Sequence, residues 1–186
     1  MKKIFKLLSG AILCLFYDKR YLKGKHFEKN IIGYVWAWRG IFHSFKLRRR
    51  GIRFPVSKLT RISNGKNLEF DVSSLNVFQQ PGNFFQNYEA KITIGKDVHM
   101  AANVGIITQN HNPENPNEHL PAKPVAIGDN CWIGMNSVIL PGVTLGNNTT
   151  VGAGAIVTHS FTEGHCVIAG NPARIIRKYS NDKADE

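Results

Sequence analysis

The sequence predicts a mainly β protein: a parallel β-helix, with an α-helical segment ahead of it and a short helix behind it. Three observations predict this. Aliphatic residues recur at every sixth position in Ile127, Ile133, Ile139, Leu145, Val151 and Val157, and the same beat runs earlier through Ile94, Met100 and Ile106. Four positions beyond each aliphatic of the long run stand Cys131, Ser137, Val143, Thr149, Ala155 and Phe161, which are mostly small. Ahead of the repeats, Ile31, Val35, Trp38, Phe42 and Phe45 are spaced by four, three, four and three, which is one face of an α-helix.

A period of six fits neither the 3.6 of a helix nor the two of a plain strand. It fits a short strand and a corner, repeated. The aliphatic residue points into a prism and the small residue packs beside it. Gly128-Asp129-Asn130 and Gly146-Asn147-Asn148 supply residue types that tolerate tight corners. Three sides close one coil, and stacked coils pair their backbones in parallel. A β-sandwich with regular turns is the alternative, but a sandwich has no need of the same residue type at every sixth place.

The run IGDNCWIGMNSVILPGVTLGNNTTVGAGAIVTHSFTEGHCVIAGNPARIIRK, from Ile127 to Lys178, resembles the hexapeptide-repeat acyltransferases. Within them it is similar to the acetyl-CoA-dependent O-acetyltransferases, which include galactoside and maltose enzymes and many that act on capsule or O-antigen. The resemblance covers about residues 60–178. It implies a left-handed β-helix, acetyl-CoA as co-substrate, no metal, a saccharide acceptor, and a homotrimer with its sites between subunits.

Residues 1–50 fall outside the resemblance. They hold 13 Lys and Arg against Asp18 and Glu28, a balance of +11, whereas residues 51–186 hold 11 bases and 11 acids. The chain therefore divides into a basic, helical module over 1–50, a neutral β-helix domain over 51–178 with a protruding loop at 110–124, and a flexible tail over 179–186. Residues 4–17 follow Met-Lys-Lys and look like the charged and apolar regions of a signal peptide. Asp-Lys-Arg follows, however, where a small-x-small cleavage site belongs. Apolar helices with Trp36, Trp38 and many bases suggest contact with an anionic membrane surface, or packing onto the β-helix. The expected location is cytoplasmic, peripheral on the inner face of the bacterial inner membrane. No recognition motif for nucleic acid accompanies the charge. Cys14, Cys131 and Cys166 form no CxxC pattern, and Cys131 occupies an inward slot of the repeat.

The beat breaks after Ile106. The next repeat begins at Ile127, 21 residues on, three more than a whole number of hexads. The intervening Asn110–Pro121 stretch is polar and proline-rich, as a loop should be. His111 stands at its root, 17 residues after Ile94. In the resembled acetyltransferases the catalytic histidine holds that place, which makes His111 the candidate general base. An imidazole titrating near neutrality suits removal of a hydroxyl proton. The resemblance places the oxyanion donor at the backbone N–H of Met135. It also implies an acceptor contact at Glu89, with Asn83 and Asn87 as weaker candidates. His99 and His119 do not match the spacing of a β-helix zinc site.

The same resemblance assigns acetyl-CoA contacts. Trp132 precedes an inward aliphatic and so faces outward, where it would flank the pantetheine arm. Gly134 and Ala153 would line the slot, and Thr158 lies near its nucleotide end. Arg174, Arg177 and Lys178 match positions near the 3′-phosphate. The expected function is O-acetylation of a sugar in a bacterial surface polysaccharide or its precursor. Two readings stay open beside it: N-acetylation of an amino sugar or xenobiotic, and a β-helix scaffold without catalysis.

Overall fold

The computed structural model describes residues 2–179; residues 180–186 of the expected tail lie outside the described residues. Three sheets form the faces of a prism. The first face stacks β1 (Arg61–Ile62), β3 (Phe84–Gln86), β6 (Gly105–Ile107), β9 (Val138–Ile139) and β12 (Ile156–Val157). The second stacks β2 (Leu68–Phe70), β4 (Ile92–Ile94), β7 (Val125–Ile127) and β10 (Thr144–Leu145). The third stacks β5 (His99–Met100), β8 (Trp132–Ile133), β11 (Thr149–Val151), β13 (Cys166–Gly170) and β14 (Ala173–Lys178). All neighbours are parallel except the last pair.

The six-residue beat becomes three columns. Ile94, Ile127 and Leu145 are in register on the second face, Met100, Ile133 and Val151 on the third, and Ile106, Ile139 and Val157 on the first. All nine are buried. Coils are tied by bonds such as Gly134 N–H to Val151 O (2.8 Å) and Gly128 N–H to Leu145 O (2.8 Å), so the narrow core leaves its backbone satisfied.

Except after Ile106 and Val157, the corners turn on the third residue after the aliphatic. Asp97, Asn103, Asn130, Asn136 and Asn148 take φ between +51° and +59°, and Gly142 and Gly154 occupy the same slot with positive φ. Asn and Asp are the non-glycine residues that visit this region most readily. The glycine directly after the aliphatic serves a different need. A Cβ on Gly134 would sit 2.6 Å from Ala153 N and 2.7 Å from Val151 O, both backbone atoms of the next coil. One edge is further laced by side chains: Asp129 Oδ1 accepts from Lys96 N–H (2.7 Å), and Asn147 Oδ1 accepts from Asp129 N–H (2.8 Å).

The N-terminal residues plug the open end of the prism. Tyr21, Phe54, Phe70, Phe78 and Phe85 pack ring to ring at 4.7–5.2 Å. Burial of each such ring is worth about 1.5–3 kcal/mol. Two polar contacts pin the plug to the first coils: His26 Nε2–H donates to Ser73 O (3.0 Å), and Lys25 pairs with Asp97 (2.5 Å).

Two helices, α1 (Lys2–Leu13) and α2 (Ile32–Arg48), lie over this plug. The helical face marked by Ile31, Val35, Trp38, Phe42 and Phe45 is not the packed one. All but the half-buried Val35 are exposed, whereas Gly33, Tyr34, Ala37, Gly40, Ser44 and Leu47 are buried. Close approach explains the exchange. A Cβ on Gly33 would meet the Phe27 ring at 2.6–2.8 Å, and one on Gly40 would lie 3.2 Å from Val56 O. Small residues let the helix sit against the plug, and the bulky stripe is left outside.

The C-terminal segment also differs from expectation. Ala173–Lys178 is a strand, β14, antiparallel to β13, and not a short helix. Gly170, at φ +101°, opens a tight turn that folds the chain back, and β-branched Ile175 and Ile176 suit the strand that follows.

Candidate active site

Residues 108–124 connect β6 to β7 and leave the edge between the first and second faces. The loop is a strap folded on itself. Asn112 N–H donates to Glu118 O (2.9 Å) and Leu120 N–H to Asn110 O (2.9 Å). Between these bonds His111 bridges His119, and their rings lie 4.3 Å apart. Asn112 Oδ1 accepts from Glu114 N–H (3.0 Å) and Asn115 Oδ1 from Asn117 N–H (3.3 Å), the local side-chain turns typical of Asn. The His111 side chain is exposed, and its Nδ1 lies 2.8 Å from the carbonyl oxygen of Pro116. A carbonyl only accepts, so Nδ1 carries the hydrogen and Nε2 keeps its lone pair. This is the tautomer that a base needs.

The root of the loop is fixed by two glutamines that sequence reasoning passed over. Gln86 Oε1 accepts from Thr108 N–H (3.0 Å) and Gln109 N–H (3.1 Å), while Gln86 Nε2 donates to Gln109 O (3.1 Å). Gln109 Nε2 in turn reaches Glu89 Oε2 and Leu120 O, both at 3.1 Å. Exposed Glu89 is thereby held two residues from His111. One signal was present: Gln109 fills the corner slot, three past Ile106, where every other hexad but that of Val157 (Ser160) carries Asn, Asp or Gly.

Asn83 and Asn87 lie elsewhere. Asn83 is fully buried, donates to Val77 O (3.1 Å) and accepts from Val104 N–H (2.9 Å). Asn87, equally buried, donates to Asn64 O (2.7 Å). Both amides are spent on backbone and hold coils together.

The remaining site residues fall into two groups on opposite edges of the first face. On the loop's own edge, a cleft is lined by Asn110, Leu120, Lys123, Leu140 and Thr158. On the other edge lie Gly134, Met135 and Ala153, each in the corner between the third and first faces. Met135 O accepts from Gly154 N–H (2.8 Å), while no acceptor among the described residues takes the Met135 N–H. Trp132, 58% exposed, stands on the adjoining third face in a row with His99 and Thr150. One protomer therefore presents the histidine on one edge and the amide corner on the other.

Arg174 and Arg177 extend the third face. Three residues apart on a regular strand, they would point to opposite sides. The β14 register slips at Ile176, so that Arg174 pairs with Ala169 and Arg177 with Val167. Val167 and Ala169 both face away from buried Ile168. The extra residue thus restores both guanidinium groups to the outer side. Lys178 lies 3.5 Å from Glu163 in an exposed pair. Burial pushes the thiols of Cys131 and Cys166 up, and Cys131 donates to Gly146 O (3.3 Å), so both are core groups and neither is a poised nucleophile.

Residues 124–159 match the family model described as the hexapeptide repeat of succinyl-transferase. A provisionally named acetyltransferase from Dictyostelium discoideum is 49% identical over 105 residues, covering 52% of this chain and 55% of that protein. The chain spans about half the length of the curated relatives it matches. A galactoside acetyltransferase in complex with coenzyme A superposes with a TM-score of 0.56 at 31% identity, covering 70% of this chain and 64% of the other. A hexapeptide-repeat acetyltransferase of Vibrio cholerae complexed with acetyl-CoA gives a TM-score of 0.51 at 26% identity, covering 66% of each chain. The three parallel faces, the repeat match and these neighbours make the fold a left-handed β-helix and the chain similar to the hexapeptide-repeat acetyltransferases.

Proposed function

We propose that the chain transfers acetyl from acetyl-CoA to a hydroxyl of a saccharide, in a bacterial surface polysaccharide or its lipid-linked precursor. The observation that carries this reading is the contact of His111 Nδ1 with Pro116 O (2.8 Å), which leaves Nε2 open on an exposed ring. In this reading His111 Nε2 takes the hydroxyl proton as the acceptor oxygen bonds to the thioester carbon. The Met135 N–H receives the oxyanion of the tetrahedral adduct. As the carbon–sulfur bond breaks, His111 returns the proton to the departing thiolate. Glu89, tied to the loop through Gln109, contacts the sugar. Arg174 and Arg177 hold the 3′-phosphate of CoA, Lys178 adds charge beside them, and Trp132, Gly134, Ala153 and Thr158 line the path of the arm.

The split of these groups between two edges of one protomer supports a homotrimer in which His111 of one subunit faces the Met135 corner of the next. The place of work is the cytoplasmic face of the bacterial inner membrane. His111→Ala tests the reading. A general base contributes about 10²–10⁴-fold, so acetyl transfer to a galactoside acceptor should fall by that range while CoA affinity, measured by calorimetry, stays unchanged. Retained turnover removes His111 from the mechanism.

A further inference from the structure

Three contacts join α1 and the turn that follows it to α2. Phe5 packs on Tyr34 (5.8 Å between ring centres), Trp38 Nε1–H donates to Ser9 Oγ (3.3 Å), and Phe16 packs on Phe45 (5.4 Å). Each pair is 29 residues apart in sequence, so α1 and α2 run parallel and in register. The pair rests on the plug by one side only, through buried Leu13 of α1 and the small-residue face of α2. Its outer side presents Ile4, Leu7, Leu8, Leu15, Phe42 and Phe45, which are 54–80% exposed. Apolar side chains grouped in this way mark a docking surface, unlike the single exposed leucines of ordinary surfaces.

Two basic clefts frame that side. Lys3, Lys6 and Lys29 line one, together with Asn30 and Ile31, where both helices begin. Arg39 and Lys58 line the other beside Trp36. Among the described residues, no carboxylate lies within 4.0 Å of the side-chain nitrogens of Lys3, Lys29, Arg39, Lys46 or Lys58. The 12 residues of α1 make a rod of about 18 Å, against roughly 30 Å of bilayer hydrocarbon. No described helix is long and apolar enough to cross a membrane.

We propose that the outer side of the α1–α2 pair lies flat in an anionic phospholipid leaflet. Its apolar side chains enter the acyl boundary and the two basic clefts receive lipid phosphates. A second copy of the chain suits this face less well. Apposing two modules that each carry +11 would bring like charges together, and lysine is depleted from protein interfaces.

The test is co-sedimentation of the full chain with vesicles, without acetyl-CoA, so that its outcome is independent of acetyl transfer. Protein should pellet with vesicles of mixed phosphatidylglycerol and phosphatidylcholine, and stay in solution with phosphatidylcholine alone. Binding to the mixed vesicles should weaken as salt is raised. Leu7→Asp with Phe42→Asp, both on exposed positions, should lower the bound fraction about tenfold. Lys3→Glu with Lys29→Glu leaves the apolar side intact and should do the same. Wild-type binding that ignores lipid charge, or charge-reversed protein that still pellets, overturns the proposal. So does conversion of the assembly to monomers by the aspartate pair in sedimentation velocity, which would make the face a subunit interface.

Discussion

The amide of Gln109 lies 3.1 Å from the carboxylate of Glu89 and thereby couples the acidic residue to the root of the histidine loop. The same amide also donates to Leu120 O on the returning arm (3.1 Å), so one side chain closes the strap and aims the carboxylate. Gln109→Leu keeps the bulk and removes both bonds. A hydrogen bond of this kind contributes about 0.5–1.5 kcal/mol. Steady-state kinetics should show kcat/KM for the acceptor reduced by roughly tenfold, with KM for acetyl-CoA and the melting temperature little changed.

The two arginines on the outer side of β14 predict a nucleotide preference. Charge-assisted hydrogen bonds are worth about 1.5–3 kcal/mol each. Arg174→Ala with Arg177→Ala should weaken CoA binding at least about tenfold in calorimetry while leaving dephospho-CoA binding nearly unchanged. Equal loss for both ligands would place the 3′-phosphate elsewhere. Deleting Ile176 should leave CoA binding nearly unchanged, because the regular strand that results keeps Arg177 opposite Val167 and on the same side as Arg174.

Acid should loosen the seam between the plug and the β-helix. His26 is buried against Trp36 and Ser73 and faces Lys25 and His99. Desolvation, aided by those positive neighbours and opposed by the bond to Ser73, holds its pKa below the ordinary 6.5. Below about pH 6.5 the unfolded chain therefore takes up a proton that the folded chain does not. Stability should fall as pH drops from 7.5 towards the depressed folded value, and level off beneath it. Melting curves of the wild type and of His26→Gln, which keeps a donor for Ser73 O, check this: the variant should lose less on acidification.

What the sequence disclosed, and what it withheld, follows from the range of the interactions. The columns through Ile127, Ile133 and Ile139 were legible because each hexad obeys a local rule that every coil repeats. The root of the loop was legible as a break in that rule. The packed face of α2 was not, because Gly33 and Gly40 matter only through Phe27 and Val56, which are distant in pattern if near in sequence. The C-terminal strand was hidden for a similar reason: the pairing edge offered by Cys166–Gly170 is a property of the finished stack. Pro116, whose carbonyl orients His111, contributes no side-chain chemistry that a motif could display.

The constant offset of 29 between α1 and α2 has an electrical meaning as well as a geometric one. Antiparallel helices cancel their macrodipoles, whereas parallel ones add them. Here both positive ends gather beside Lys3 and Lys29, and both negative ends gather near Arg48, which donates to Leu15 O. The far end is thus partly neutralised and the near end is reinforced. The module is a small electret laid across the prism's mouth, and a charged surface should exert a torque on it. The direction in which the molecule comes to rest on such a surface would then be set before any side chain touches it.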